Sequence, residues 1–268
     1  MSAGKPVTIR DLVAQKNGEK IVMVSAYDAM FARLADEAGV DIILVGDSLG
    51  NIFAGQESTL QVTLDQMIYH GAAARRGCTR ALLVVDLPFL SYQVTSDDAM
   101  RNAGRVMQET GAQAVKLEGG SPARAAAVAR IVEMGVPVMG HLGFTPQSVH
   151  ALGGARVQGK GNAAATAMVE DAKRLEDAGA FAIVLELVPA DVAARVTESI
   201  GVPTIGIGAG PSCDGQVLVL PDLLGLNGDV APRFLKRYAE LGAAAQVAVR
   251  QFIAETRAGT FPDEPHSY

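Results

Sequence analysis

Short runs of Val, Ile, Leu and Ala alternate along this chain with longer stretches whose apolar residues recur at helical spacing. The runs predict strands over 21–26, 42–45, 81–85, 114–117, 136–139, 182–185, 204–207 and 216–220. Helices are predicted between them over 29–38, 64–76, 96–110, 122–134, 163–178 and 190–199. In DEAGVD, EMGVP, EDAGAF and ESIGVP a glycine stands just past a helical stretch and just before a strand, a helix-stop pattern. Strands alternating with helices pair in parallel, with helices shielding the sheet. Eight strands without an obvious linker predict a single-domain α/β fold over residues 1–268, a (β/α)8 TIM barrel with an N-terminal segment and a C-terminal tail packed on it. The tail, 230–268, reads as one or two helices and a polar end. The Gly-rich stretch 141–161 is long for a strand-to-helix connection and reads as a lid or binding loop.

Four of the apolar runs deliver an acidic residue at their C-terminal end: Asp47, Asp86, Glu118 and Glu186. A lone carboxylate on a buried strand is expensive unless it is paired, bound to metal or neutralised. Four of them point to one acidic site at the C-terminal rim of a barrel, where such enzymes keep their chemistry. Asp47 in GDSLG and Asp86 in VVDLPF would each pass alone as an Asx turn. Together they read as ligands for a hard cation such as Mg²⁺, which takes one or two carboxylates plus water and substrate oxygens. Lys116 and Glu118 in VKLEGG are two apart on a strand and leave by one face. They form either a structural salt bridge or a cation for an anionic substrate beside a further acidic group. His141 is either a satisfied core histidine or a donor to a substrate oxygen. Glu186 suits a general base, tuned by burial and neighbours. GIGAG at 206–210 is either a phosphate cradle or a close-packed turn, and Asp214 and Gln216 after it order the loop. No GxSxG, HExxH or P-loop pattern occurs.

Composition narrows the classes. The 268 residues are 49% hydrophobic, enough for one large core, and the net charge of −6 without a basic run argues against nucleic acid. No apolar run approaches the length of a membrane span, and the first 20 residues carry no signal-peptide core. Cys78 and Cys213 lie far apart without metal spacing, which fits a reducing, cytoplasmic setting.

The stretches SAYDAMFARLADEAGVDIILVGDSLG, VVDLPF, VKLEGG, VMGHLGFTPQS, LELVP and GIGAG with DGQ, followed by FPDEPHSY, occur in one order across the chain. With these marks the chain resembles the ketopantoate hydroxymethyltransferase family nearly end to end. The resemblance implies a barrel of the phosphoenolpyruvate/pyruvate type, Mg²⁺, and a homo-oligomer that is a decamer. It implies 5,10-methylenetetrahydrofolate as co-substrate and 3-methyl-2-oxobutanoate as the 2-oxo acid that accepts the one-carbon unit, through a metal-stabilised enolate. Carried over, Asp47, Asp86 and Glu118 form the metal site, Glu118 directly or through water. Ser48, with Asp47 and Asp86, binds the 2-oxo acid; Lys116 contacts its carboxylate; Glu186 is the base; His141 lies near the substrate. The residues alone do not reach folate. A folate-free mutase or lyase of the phosphoenolpyruvate type, a Schiff-base aldolase using Lys116, and a non-catalytic binding barrel remain the alternatives.

Overall fold

The computed structural model describes residues 5–228 and 232–268; the start expected for the tail, Val230, lies outside the described residues. In chain order the elements run α1 (Ile9–Ala14), β1 (Ile21–Ser25), α2 (Ala29–Ala38), β2 (Ile42–Val45), α3 (Leu49–Ile52), α4 (Leu64–Gly77) and β3 (Leu82–Asp86). The chain continues through α5 (Ser96–Thr110), β4 (Ala114–Lys116), α6 (Pro122–Glu133), β5 (Val138–Gly143), α7 (Asn162–Asp177), β6 (Ala182–Glu186), α8 (Ala190–Ser199), β7 (Thr204–Ile207) and β8 (Gly215–Val219). The strands follow one another in sequence order around a closed barrel, and neighbours are parallel.

Local chemistry sets the helix boundaries. Asp28 accepts hydrogen bonds from the Met30 and Phe31 N–H groups at the start of α2, and Thr63 with Gln66 forms a capping box on α4. Gly39, Gly135 and Gly179 take left-handed φ values of 93°, 94° and 93° at helix ends, as the helix-stop pattern predicts. Gly201 does not: Ile200 is the cap of α8 and is extended, so that chain leaves its helix without a left-handed residue. The 141–161 stretch also begins differently than expected. β5 reaches Gly143, and Thr145 and Gln147 are buried, so the exposed part starts only after them.

The barrel interior is layered by the two-residue period of its strands. Met23, Ile42, Leu44, Leu82, Val84, Ala114, Met139, Ala182, Val184, Ile205 and Val217 form a contiguous buried cluster, joined by Leu12 of α1. Two residues further along the same faces come Asp86 after Val84, Lys116 after Ala114, His141 after Met139 and Glu186 after Val184. The site is thus the next layer of the core, with polar side chains in place of aliphatic ones.

Residues 219–268 cluster as a second compact unit. It holds α9 (Leu220–Leu223) and α10 (Leu241–Ala258), and α10 buries none of its residues. Among the described residues no helix is long and apolar enough to cross a membrane.

Asp36, buried near the end of α2, is a structural anchor that the pattern gave no sign of. Its carboxylate accepts from the N–H groups of Thr79, Arg80 and Ala81 at 2.9, 3.0 and 2.6 Å and from Thr79 Oγ1 at 2.7 Å. Asp36→Ala strands these donors and is expected to lower stability by about 3 kcal/mol in urea denaturation. Burial opposes the charge, but the hydrogen bonds prevail and hold the carboxyl below its ordinary 3.8. Its contribution is therefore complete above that value and is lost as pH falls through the lower folded-state value.

Candidate active site

The strand ends bring six of the seven sequence-derived residues into one cluster of contacts. Lys116 Nζ donates to Asp86 Oδ1 at 2.6 Å, across the register pair Asp86–Lys116 of β3 and β4. The other Asp86 oxygen accepts the Asp47 N–H at 3.1 Å, which ties the turn after β2 to the end of β3. His141 lies between two carboxylates, with Nδ1 3.6 Å from Glu118 Oε1 and Nε2 3.4 Å from Glu186 Oε2. The side chains of Asp86, Glu118 and His141 are 3% exposed and that of Glu186 is 21% exposed, so Glu186 is the carboxylate that faces the opening. Ser48, the seventh residue, is half-buried, and its hydroxyl lies 2.8 Å from Tyr27 Oη.

The electrostatics are those of an anionic site held in low dielectric. Burial first, then the charges of Asp86 and Glu118, push the Asp47 carboxyl well above its usual range, against Lys116 and Gln147. Burial also raises Asp86, although Lys116 works the other way. The Lys116 ammonium is disfavoured by burial, but Asp86, Glu118 and Asp47 outweigh this and keep it protonated. Burial likewise opposes the His141 imidazolium, yet Glu118 and Glu186 prevail and raise it to about 9. Lys116 is therefore a fixed cation, suited to a substrate carboxylate and unsuited to forming a Schiff base at neutral pH.

Two site residues had no role in the sequence reading. Gln147 donates from Nε2 to Asp47 Oδ2 at 2.8 Å and to the Leu87 carbonyl at 3.0 Å. Its backbone N–H donates to Glu118 Oε2 at 2.9 Å. Its Oε1 accepts from Tyr92 Oη at 2.7 Å and Gln93 Nε2 at 2.8 Å. One residue thus orients two of the three expected metal ligands, Asp47 through its side chain and Glu118 through its backbone. Tyr92 also accepts the Glu118 N–H at 3.1 Å, and burial keeps its phenol protonated. Gln147 stands within the FTPQS stretch of the family marks, which gave it no role of its own.

Other expectations resolve toward packing. A Cβ on Gly206 would lie 3.0 Å from Cys213 Sγ, and one on Gly210 2.5 Å from Ala190 Cβ, so the GIGAG run serves close approach. Asp214 accepts from Lys16 Nζ at 2.9 Å, the Thr204 N–H at 2.8 Å and the Asn17 N–H at 3.0 Å, which is the loop-ordering role expected of it. Cys78 and Cys213 are buried free thiols. Just after Glu186, Leu187 holds a φ of 48°, a strained conformation for a branched residue, where the chain turns out of β6.

Comparison with known proteins decides the family. The profile of ketopantoate hydroxymethyltransferase matches residues 6–264. A 3-methyl-2-oxobutanoate hydroxymethyltransferase of Syntrophus aciditrophicus is 53% identical over 270 residues, covering 100% of this chain and 98% of the relative. One of Anaeromyxobacter sp. (strain K) is 55% identical over 269 residues, covering 98% of this chain and 88% of its own length. The chain belongs to the ketopantoate hydroxymethyltransferase family. The fold has wider kin. Phosphonopyruvate hydrolase, solved with oxalate and Mg²⁺, superposes with a TM-score of 0.63 at 14% identity, covering 97% of this chain and 93% of that one. A 2,3-dimethylmalate lyase of the phosphoenolpyruvate mutase/isocitrate lyase superfamily gives 0.60 at 15% identity, with coverages of 97% and 91%. These enzymes share the barrel fold with this chain, whereas the sequence kinship is with the hydroxymethyltransferases.

The family's site residues fit a hard divalent cation. No three His, Cys, Asp or Glu side chains among the described residues converge as a preformed cage. Mg²⁺ needs none, because water and substrate oxygens complete its shell. Asp47 and Asp86 are buried and repel one another, and Glu118 Oε1 is buried without a hydrogen-bond partner. A cation among them would relieve both conditions.

Proposed function

We propose that this chain transfers the one-carbon unit of 5,10-methylenetetrahydrofolate to C3 of 3-methyl-2-oxobutanoate, giving 2-dehydropantoate and tetrahydrofolate. The observation that carries the reading is the full-length kinship with hydroxymethyltransferases. In the reaction a C–C bond forms between C3 and the donor's methylene carbon. Both C–N bonds to that carbon break, and the oxygen of one water becomes the new hydroxyl. The proton leaving C3 and the two from water end on that hydroxyl and on the two freed folate nitrogens.

Each residue has a place in this chemistry. Lys116, charged and fixed by Asp86, attracts the carboxylate of the 2-oxo acid, and Ser48 hydrogen-bonds to it. Glu186, the least buried carboxylate of the four, takes the proton from C3. His141 and the strained turn at Leu187 hold that carboxylate in place. Asp47 and Asp86, with Glu118, would hold Mg²⁺, which would supply Lewis-acid stabilisation for the oxygen on which charge develops. Gln147 keeps Asp47 and Glu118 oriented for it. Self-association into a homo-oligomer, a decamer on the family resemblance, is supported by Val247, Val249 and Phe252 of α10, which are 57%, 56% and 53% exposed.

Product analysis tests the reading. With both substrates and Mg²⁺, NMR should show 2-dehydropantoate only when the folate is present. Conversion of the 2-oxo acid without folate would instead place the chain with mutases or lyases.

A further inference from the structure

We propose that a slot beside the acidic site binds the pterin ring of the one-carbon donor, a proposal that rests on the functional reading above. The slot has a volume of about 280 Å³ and lies between the turn after β4, the end of β5 and the first half of α7. That is just below the range of small-molecule sites, roughly 300 to 1,000 Å³, so it takes a ring system and leaves the rest of a folate outside.

The slot's chemistry matches a flat, polar-edged heterocycle. Gly119, Gly120, Gly143 and Gly159 line it, so much of its wall is backbone, and Leu142 and Met168 add apolar contact. Asp171 of α7 brings a carboxylate. The amino-pyrimidinone edge of a pterin presents two adjacent N–H donors, which a carboxylate accepts in parallel, as it does from a guanidinium. Asp171 is held by an ion pair to Arg174, whose Nη1 also donates to the Gly120 carbonyl at 2.5 Å. That keeps the carboxylate oriented against the glycine wall.

The location suits the transfer. Gly119 follows Glu118 directly, and Gly143 lies opposite Glu186 in the β5–β6 register. The slot lining is therefore continuous in the chain with the metal-site acid and paired in register with the base. The other end of a folate is a benzoylglutamate with free carboxylates. Arg156 and Lys160, both exposed, flank the slot residues Gln158 and Gly159 in sequence. The Gln158 N–H donates to the Leu187 carbonyl at 2.8 Å, which ties this cationic stretch to the segment following Glu186. On a chain with a net charge of −6, two cations there favour an anionic tail.

The test measures KM for 5,10-methylenetetrahydrofolate and, by calorimetry, Kd for tetrahydropteroyltriglutamate. Ala167→Phe pushes a ring into the slot from α7 and is expected to raise the donor KM about tenfold or more, with KM for the 2-oxo acid within about twofold. Arg156→Glu with Lys160→Glu alters only exposed side chains, so it carries the test even where Ala167→Phe fails to fold. It is expected to weaken triglutamate binding about tenfold at low salt, with the loss shrinking as salt rises. Unchanged donor KM and triglutamate Kd in variants of an active wild type overturn the slot and leave the functional reading standing. A wild type that neither turns over nor binds tetrahydropteroyltriglutamate overturns both.

Discussion

Glu186→Gln is expected to lower kcat by about two to four orders of magnitude, the range lost when a positioned general base is removed. The substitution keeps shape and removes the charge. Glu186 is 21% exposed at the end of β6, while the other three carboxylates are sealed in contacts with Lys116, Gln147 and the Asp47 N–H. On the proposed reading Lys116 and the metal-site residues hold the 2-oxo acid, so its KM should change only severalfold. Steady-state kinetics with each substrate varied checks the split. A kcat within about threefold of wild type would move the base elsewhere.

Asp86→Asn should be at least as damaging, through a different property. One Asp86 oxygen accepts from Lys116 Nζ and the other from the Asp47 N–H, at 2.6 and 3.1 Å. An amide supplies one acceptor where two are needed and turns an N–H toward another donor. It also removes one of the two carboxylates proposed to hold the metal. A loss of about 10³ in kcat/KM is expected, together with Mn²⁺ binding weakened by tenfold or more in electron paramagnetic resonance titration. Leaving Lys116 buried without its partner destabilises by about 3–5 kcal/mol, so the melting temperature should fall as well. Wild-type Mn²⁺ affinity in a folded variant would remove Asp86 from the metal site.

The barrel was legible because its signal is periodic. The runs at 42–45 and 204–207 are the observed strands end for end, since β-branched residues bounded by polar turns mark both limits. β5 was placed early, at 136–139, because Gly140, His141, Leu142 and Gly143 carry no strand propensity of their own. Five register pairs with β6, from Met139–Ala182 to Gly143–Glu186, extend the strand through them. Asp86, Lys116, His141 and Glu186 could be found because they prolong an alternation that starts in the core. Gln147 and Tyr92 could not be found that way. They stand in loops, and the Gln147–Asp47 contact joins positions 100 residues apart, which only the closed barrel makes neighbours.

Deuterium exchange at C3 of 3-methyl-2-oxobutanoate, followed by NMR without folate, isolates the step on which the account turns. Wild-type enzyme with Mg²⁺ should exchange the proton, EDTA should stop it, and Glu186→Gln should fail even with Mg²⁺ present. Exchange that persists undiminished with EDTA and in Glu186→Gln would contradict both the metal-assisted enolate and the assignment of its base.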